Sequence, residues 1–573
     1  MAPQLRQLLL GVTILLALSC GRRATTEKTS EQGPSRGGVL IASIRSEPQT
    51  FNRFAPNGGS TPTDVLTRLT QAPLVRINRV TGEPEPWLAD HWTTSPDGRV
   101  LTVALRNGIT FSDGVPLTSA DVAFTFRALY DPAVDSVLAS AVTIQGRPLE
   151  VSAPDAHTVV FRLPAPFTNA VGLLDSVWIY PQHQLQSALD AHNFARAWGL
   201  STPPRSMAGL GPFVLSEFAP GQRMTFIRNP HYWRKDASGV ALPYLDRFVI
   251  EIVKAQDAEI LRMQAGTIDL MTQADLRPSD LSSFRKLRDQ GALQLVEPGI
   301  GVDPDVLWFN LTEASRKRDE ATKPYLHRAE FRQAISYAVN RDDIVNTLYL
   351  GAAVRVYGPV TPGNRTWYSD AAPKYPHDVA RAKTLLAGLG LSDRDGNGTL
   401  EDASGRPVRF SIIAQAGHMR ERVATMIQEQ LKQVGIGVDV VALDPGAIFD
   451  RFAKGDYESI YYGFAASAFD PSLNLDFWLS SGSSHFWNPE QKTPATPWER
   501  SIDELMQKLT AAPTPAERQR LFGEVQRIFG ENLPEIAFVA PRITIALSQH
   551  VGGAAPVLLD PKVLWQADTL YAR

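Results

Sequence analysis

The densest run of oxygen-bearing side chains is Asp393-Arg-Asp395-Gly-Asn397-Gly-Thr399-Leu-Glu401-Asp402. Oxygens at alternate positions followed by a turn glycine can wrap a hard cation such as Ca²⁺, which takes six to eight of them. The twelfth place is Ser404 where a bidentate glutamate would close such a loop, leaving coordination to Thr399, Glu401, Asp402 or distant groups. The same residues also describe an Asx- and Gly-rich surface turn between a helix ending near Gly390 and a strand near Val408. The expectation is therefore a structural Ca²⁺ or a bare turn, with no cofactor required for function.

Signatures of catalysis are missing. The chain has no G-x-S-x-G, no H-E-x-x-H, no phosphate loop and no dinucleotide-binding glycine pattern after a strand. The 10 histidines are scattered, without a pair at helical spacing that would seat a metal. Acidic pairs such as Asp342-Asp343 read as solvated helix starts.

One cysteine occurs in 573 residues, Cys20, and it follows an apolar stretch over 8–18 that begins after Arg6. Eleven residues rise ~16 Å as a helix, about half of a ~30 Å hydrocarbon core, so the stretch fits a signal peptide rather than a membrane span. Leu16-Ala-Leu-Ser-Cys20 resembles the bacterial lipobox, with Ala17 where Leu is commoner. Lipidation of Cys20 is the expectation, with an ordinary cleaved signal as the alternative. Residues 1–19 are then the signal peptide, and 20–36, polar and without periodicity, the anchor and tether.

These groups need a body to position them, and 573 residues supply three or four domains' worth of core. With 57 Lys+Arg against 60 Asp+Glu and 43% hydrophobic residues, the chain should fold. No basic run offers a nucleic acid a footprint. No later segment is long and apolar enough to span a membrane. Strand-like runs occur at 39–44, 100–105, 158–163, 248–253, 293–297, 408–413, 437–442 and 460–464. Helical stripes interleave with them: Phe331, Ala334, Ile335, Ala338 and Val339 on a helix running to about 348; Val423, Ile427, Leu431 and Val434 stopped by Gly435; and Leu521, Phe522, Val525, Ile528 and Phe529 between Pro515 and Pro534. Thr118-Ser-Ala-Asp121 opens another helix as a capping-box variant. The pattern is α/β.

Residues 86–129 read PWLADHWTTSPDGRVLTVALRNGITFSDGVPLTSADVAFTFRAL. This stretch closely resembles the signature of the extracytoplasmic solute-binding proteins of ABC importers, family 5, the dipeptide/oligopeptide/nickel group. Gly211-Pro-Phe213, Arg228-Asn-Pro-His-Tyr-Trp233, Leu242-Pro-Tyr-Leu-Asp246 and Phe331-Arg-Gln-Ala-Ile-Ser-Tyr-Ala-Val-Asn340 resemble it in the same order, so the likeness runs from about 38 to 565. It implies a two-lobed periplasmic-binding-protein fold, type II-like of cluster C, with an extra inserted domain. Lobe one would be 37–74, 201–299 and 536–573, the inserted domain 75–200, and lobe two 300–535.

The resemblance also implies a cleft. Peptide-binding relatives carry a Gly-Trp strand that pairs with bound peptide and, four residues after the glycine, an aspartate holding its ammonium. Here Gly463-Phe464-Ala465 leads to Ser467 in the aspartate's place, with Asp470 trailing. Serine cannot balance a buried ammonium, so that anchor is in doubt unless Asp470 or Glu47 replaces it. Asn57, Gly58 and Gly59 would face the ligand with backbone groups, or form a mere turn. Trp308 and Asn310 line the cleft, or Trp308 is core. The expected protein is a monomeric, exported, lipid-anchored receptor, periplasmic or on the outer face of the cell membrane. It takes an extended solute, nominally a peptide, to an ABC permease, with no nucleic-acid partner. Alternatives are a non-peptide solute such as an oligosaccharide or metal complex, a sensing receptor of the same fold, or an exported hydrolase.

Overall fold

The strand Val39–Ile44 buries four of its six residues, Leu40, Ala42, Ser43 and Ile44, because it lies inside a sheet with neighbours on both edges. The computed structural model describes residues 34–136, 138–273, 276–463 and 469–573. Val39–Ile44 runs parallel to Arg247–Ile252 and to Leu270–Met271. Outward from Arg247–Ile252 follow Arg223–Arg228 and Phe213–Ala219, antiparallel; on the other side Leu270–Met271 is followed by Val539–Ser548 and Leu293–Ile300. Ala353–Arg355 adds to Val539–Ser548 as the eighth strand.

A second, five-stranded sheet runs Gly437–Leu443, Arg409–Gln415, Ser459–Tyr462, Val306–Phe309, Glu535–Ala537. Its first three strands are mutually parallel, and the helix Met419–Lys432 makes the crossover between Arg409–Gln415 and Gly437–Leu443. That helix ends as expected, with Gly435 at φ +80°. Phe331, Ile335, Phe410, Ile427 and Phe522, all buried, fill the core beside this sheet.

A third sheet of four antiparallel strands, Ala89–Thr94, Val100–Leu105, Thr158–Arg162 and Glu150–Asp155, lies within the stretch read as an inserted domain. Its apolar side chains do not form a separate core. Leu101, Phe124 and Phe161 belong to the same buried cluster as Leu40, Phe51 and Leu547 of the first body, so the stretch is a layer built onto that body.

Two expected boundaries shift. Glu535–Ala537 pairs with Val306–Phe309 in the second sheet, so the return to the first body comes just after 537 instead of at 536. The stripe beginning at Phe331 gives the helix Ala329–Ala338, which stops where Val339 turns extended instead of running on to 348. The cause is tertiary. Asn340 caps a new turn through Oδ1, and buried Arg341 swings in to donate to the carbonyl oxygens of Ser336, Val356, Tyr375 and Ala537 at 2.9 to 3.2 Å.

Among the described residues the connections between the bodies lie side by side, and Ala353–Arg355 joins them there by pairing with Val539–Pro541. Ile300 pairs with Arg542 in the first sheet and Val306 pairs with Ala537 in the second. Between them the Gly301 N–H donates to Pro541 O at 2.8 Å. Among the described residues no helix is long and apolar enough to cross a membrane.

Candidate functional site

The groove between the bodies holds two adjoining cavities that share Val302, Asp303 and Gly463. The larger, about 930 Å³, has Arg53, Gly59, Asp64 and Arg68 on the first body and Asp305, Tyr349, His418 and Arg420 on the second. The smaller, about 520 Å³, lies between Ser140, Thr143 and Leu173 of the added layer and Phe469, Phe477, Trp478, Phe486 and Glu535 of the second body.

Charge on the larger wall is organised in two clusters. Asp64 bonds Arg68 Nε at 2.6 Å and sits 3.3 Å from Arg53 Nη2, so one carboxylate faces two guanidiniums. Burial works to raise the Asp64 pKa, but the two cations outweigh it and hold the carboxyl below its ordinary value. Across the groove Asp305 Oδ1 accepts from Arg420 Nε at 2.9 Å, and the guanidinium lies 3.8 Å over the Tyr462 ring. Burial opposes the Arg420 charge, yet Asp305 keeps its pKa above the usual arginine value.

Gly463 stands at the junction of the cavities. Its carbonyl oxygen accepts from Arg420 Nη2 at 3.3 Å, and a Cβ there would collide with Asp305 Oδ1. Glycine is thus what lets the ion pair pass beneath this strand end. Phe464, Ala465 and Ser467, which follow it, lie outside the described residues, as does Cys20.

Other expected site residues divide. Gly59 lines the larger cavity and Asn57 is exposed. Gly58 is buried in the turn: its N–H donates to Ala55 O at 2.7 Å, and its own carbonyl takes Arg53 Nη1 at 2.6 Å. A Cβ on Gly58 would meet the carbonyl oxygens of Asn52 and Arg53 at 2.5 Å, so close packing of main chain requires the glycine. Trp308 belongs to the core and not to the cleft wall; it is 2% exposed and its ring lies 5.3 Å from that of Phe486. Asn310 is likewise interior, donating to Gly455 O and Tyr457 O at 3.1 and 3.2 Å.

Asp470 has no free charge to offer a ligand. Arg518 Nη2 donates to its two oxygens at 2.7 and 2.6 Å, and Asn169 Nδ2 donates to Oδ2 at 3.0 Å. Glu47 spends Oε2 on the Gly221 N–H at 2.6 Å. The carboxylate that sequence reading missed is Glu535. It is 1% exposed, lines the smaller cavity, and its Oε1 has no hydrogen-bond partner. Burial alone pushes its pKa up to about 8. A charged letter inside Pro534-Glu-Ile-Ala-Phe-Val-Ala540 was the available signal. Nothing in the sequence pointed to Arg53, Asp64, Asp305 or Arg420.

In the acidic loop, carboxylate oxygens of Asp393, Asp395 and Glu401 fall within 4.8 Å of one another. They are engaged with the loop itself: Asp393 accepts from the N–H of Gly396 and Gly398, Asp395 from Asn397, Asn397 from Thr399, and Glu401 from Arg394. That is the bonding of successive Asx turns.

The chain matches the family model described as "Bacterial extracellular solute-binding proteins, family 5 Middle" over residues 83–486. It is 28% identical over 529 residues, 88% of each chain, to the "Probable ABC transporter-binding protein" of Deinococcus radiodurans. Among solved structures it is similar to the oligopeptide-binding protein AppA of Bacillus subtilis in complex with a nonapeptide, with TM-score 0.75, 22% identity, and coverage of 94% of this chain and 100% of that one. It is also similar to the periplasmic binding protein MelB of Agrobacterium fabrum in complex with stachyose, with TM-score 0.77, 21% identity, and coverage of 94% and 85%. At such identities the structural likeness is one of fold.

Proposed function

We infer, for a chain that belongs to the bacterial extracellular solute-binding proteins of family 5, that it captures an extended solute, nominally a peptide, in the groove between its bodies and delivers it to an ABC permease. The family is one of binding proteins for ABC transporters and not of enzymes. The observation that carries the reading is the pair of adjoining cavities, about 930 and 520 Å³, shared between two bodies joined at a few neighbouring strands. Ligand touching both bodies stabilises the closed form by its differential affinity, and the closed surface is what a permease would read.

A peptide is the first reading because the groove is charged on the larger cavity's walls and bordered by backbone at Gly59, Gly301 and Gly463. An oligosaccharide is the second, favoured by the aromatic wall of Phe469, Phe477, Trp478 and Phe486. Lipid attachment at Cys20 would hold the receptor at the membrane beside its permease. Native mass spectrometry of protein purified without denaturation tests the ligand class: a ladder of peptide masses supports the first reading, sugar masses the second. Solute uptake by cells lacking this chain, with and without its return, tests delivery.

A further inference from the structure

We propose that the smaller cavity is an amine pocket, in which Glu535 pairs with a protonated amine carried on an apolar body. This rests on the solute-binding reading and specifies which end of the solute enters which half of the groove.

The cavity is walled by Phe469, Phe477, Trp478 and Phe486, side chains that favour an apolar group and whose ring faces attract a cation. Its charged lining residues are Asp303, Asp476 and Glu535; among the described residues no Lys, Arg or His lines it. Asp476 is occupied with the N–H groups of Ser483 and Ser484 at 3.0 Å. Glu535 is not so engaged: Oε1 is buried and accepts nothing. The guanidiniums reaching its strand, Arg332 and Arg341, end on the carbonyl oxygens of Leu533 and Ala537 on either side of it. A buried carboxyl left unpaired costs stability, and its place on a cavity wall gives the missing partner room to arrive. The larger cavity has the opposite bias, six Lys and Arg against four Asp among its lining residues, so a cationic group has reason to seek the smaller one.

Glu535 rests largely protonated at neutral pH, because burial alone raises its pKa to about 8. An incoming ammonium stabilises the carboxylate, so the glutamic acid proton leaves to solvent while the amine keeps its own. Binding of an amine at pH 7 is therefore coupled to release of about one proton per site.

The test uses 2-phenylethylamine with 2-phenylethanol as its neutral counterpart, on the full chain and on Glu535→Gln. The amine should raise the melting temperature well beyond the alcohol, bind at least about tenfold more weakly to Glu535→Gln, and show proton release in calorimetry across buffers of different ionisation enthalpy. The variant should release none. Equal effects of amine and alcohol, or an amine response that survives in Glu535→Gln, overturn the pocket assignment while leaving solute capture standing. Should Glu535→Gln fail to fold, the proton count on the unaltered chain decides alone: one proton supports the pocket and none overturns it. Solute capture falls instead if no solute co-purifies and no uptake depends on the chain.

Discussion

The backbone N–H of Thr168 donates to the carbonyl oxygen of Thr510 at 2.7 Å, joining the layer added to the first body to the helix Pro497–Ala511 of the second. Thr168 Oγ1 adds a bond to Ala512 O at 3.1 Å, and Asn169 reaches Asp470 beside them. The bodies thus meet directly through main chain as well as through their hinge strands. Such contacts break if the bodies part along this face, so they compete with opening.

Thr168→Val keeps the backbone bond and removes the hydroxyl. One neutral hydrogen bond is worth about 1 kcal/mol net, so bound solute should dissociate roughly fivefold faster with the melting temperature of the empty protein little changed. Stopped-flow release of whichever solute co-purifies measures this; an unaltered rate would show that the contact does not hold the closed form.

Arg518→Ala leaves Asp470 largely buried without its counter-charge. Breaking such a pair typically costs about 3–5 kcal/mol. Adding Asp470→Asn should recover much of that loss, because the stranded charge goes with it. Urea unfolding of the single and double variants gives both numbers.

Stability should fall as pH rises from the ordinary glutamic value of 4.5 toward about 8, through Glu535. In that window the native state holds one proton more than the unfolded chain, so stability drops by about 1.4 kcal/mol per pH unit and levels off above the folded value. Glu535→Gln should flatten this part of the profile and be the more stable protein at pH 9. Denaturant midpoints at five or six pH values decide it, and parallel profiles would refute it.

Gly463→Ala places a methyl against Asp305 Oδ1 and forces apart the pair Asp305 makes with Arg420. Overpacking of this kind costs about 1–3 kcal/mol. Because both cavities include this residue, solute affinity should drop by more than with the same substitution at exposed Gly388, where a Cβ meets nothing within 4 Å. Calorimetric titration of the two variants is the comparison.

Cys20→Ser should abolish incorporation of labelled fatty acid into the chain in its bacterial host while purified protein still binds solute. Labelling that persists would place any lipid elsewhere.

What the sequence disclosed were features of local origin. Val100–Leu105 has the expected limits because it is a short, β-branched apolar run bounded by turn residues, and Leu101, Val103 and Leu105 bury one face of it. Pro515–Asn532 starts at the expected proline, capped by Thr514 Oγ1 accepting from Glu517 N. Features decided by partners far along the chain were illegible. The break at Val339 depends on Arg341 finding a carbonyl near 537, and Asp470 reads as an available acid until Arg518 is placed against it. Trp308 could not be assigned to wall or core without the helix and loop that cover it. The cleft followed the same rule: its glycines were visible as letters, its ion pairs were not.

Val306 and Ala537 leave the second sheet as register partners, roughly 5 Å apart. The half they enclose is therefore a cassette spliced into the other half at one seam, where its strand Ala353–Arg355 also pairs with Val539–Pro541. A tight turn joining 300 to 542 would close the remaining polypeptide without stretching it, and 305–538 alone would carry its two ends side by side, ready to be expressed, circularised or exchanged for the corresponding cassette of a relative. Gly37 and Tyr571–Ala572 both pack on the host half, so a tether attached ahead of Gly37 would restrain that half and leave the cassette to swing.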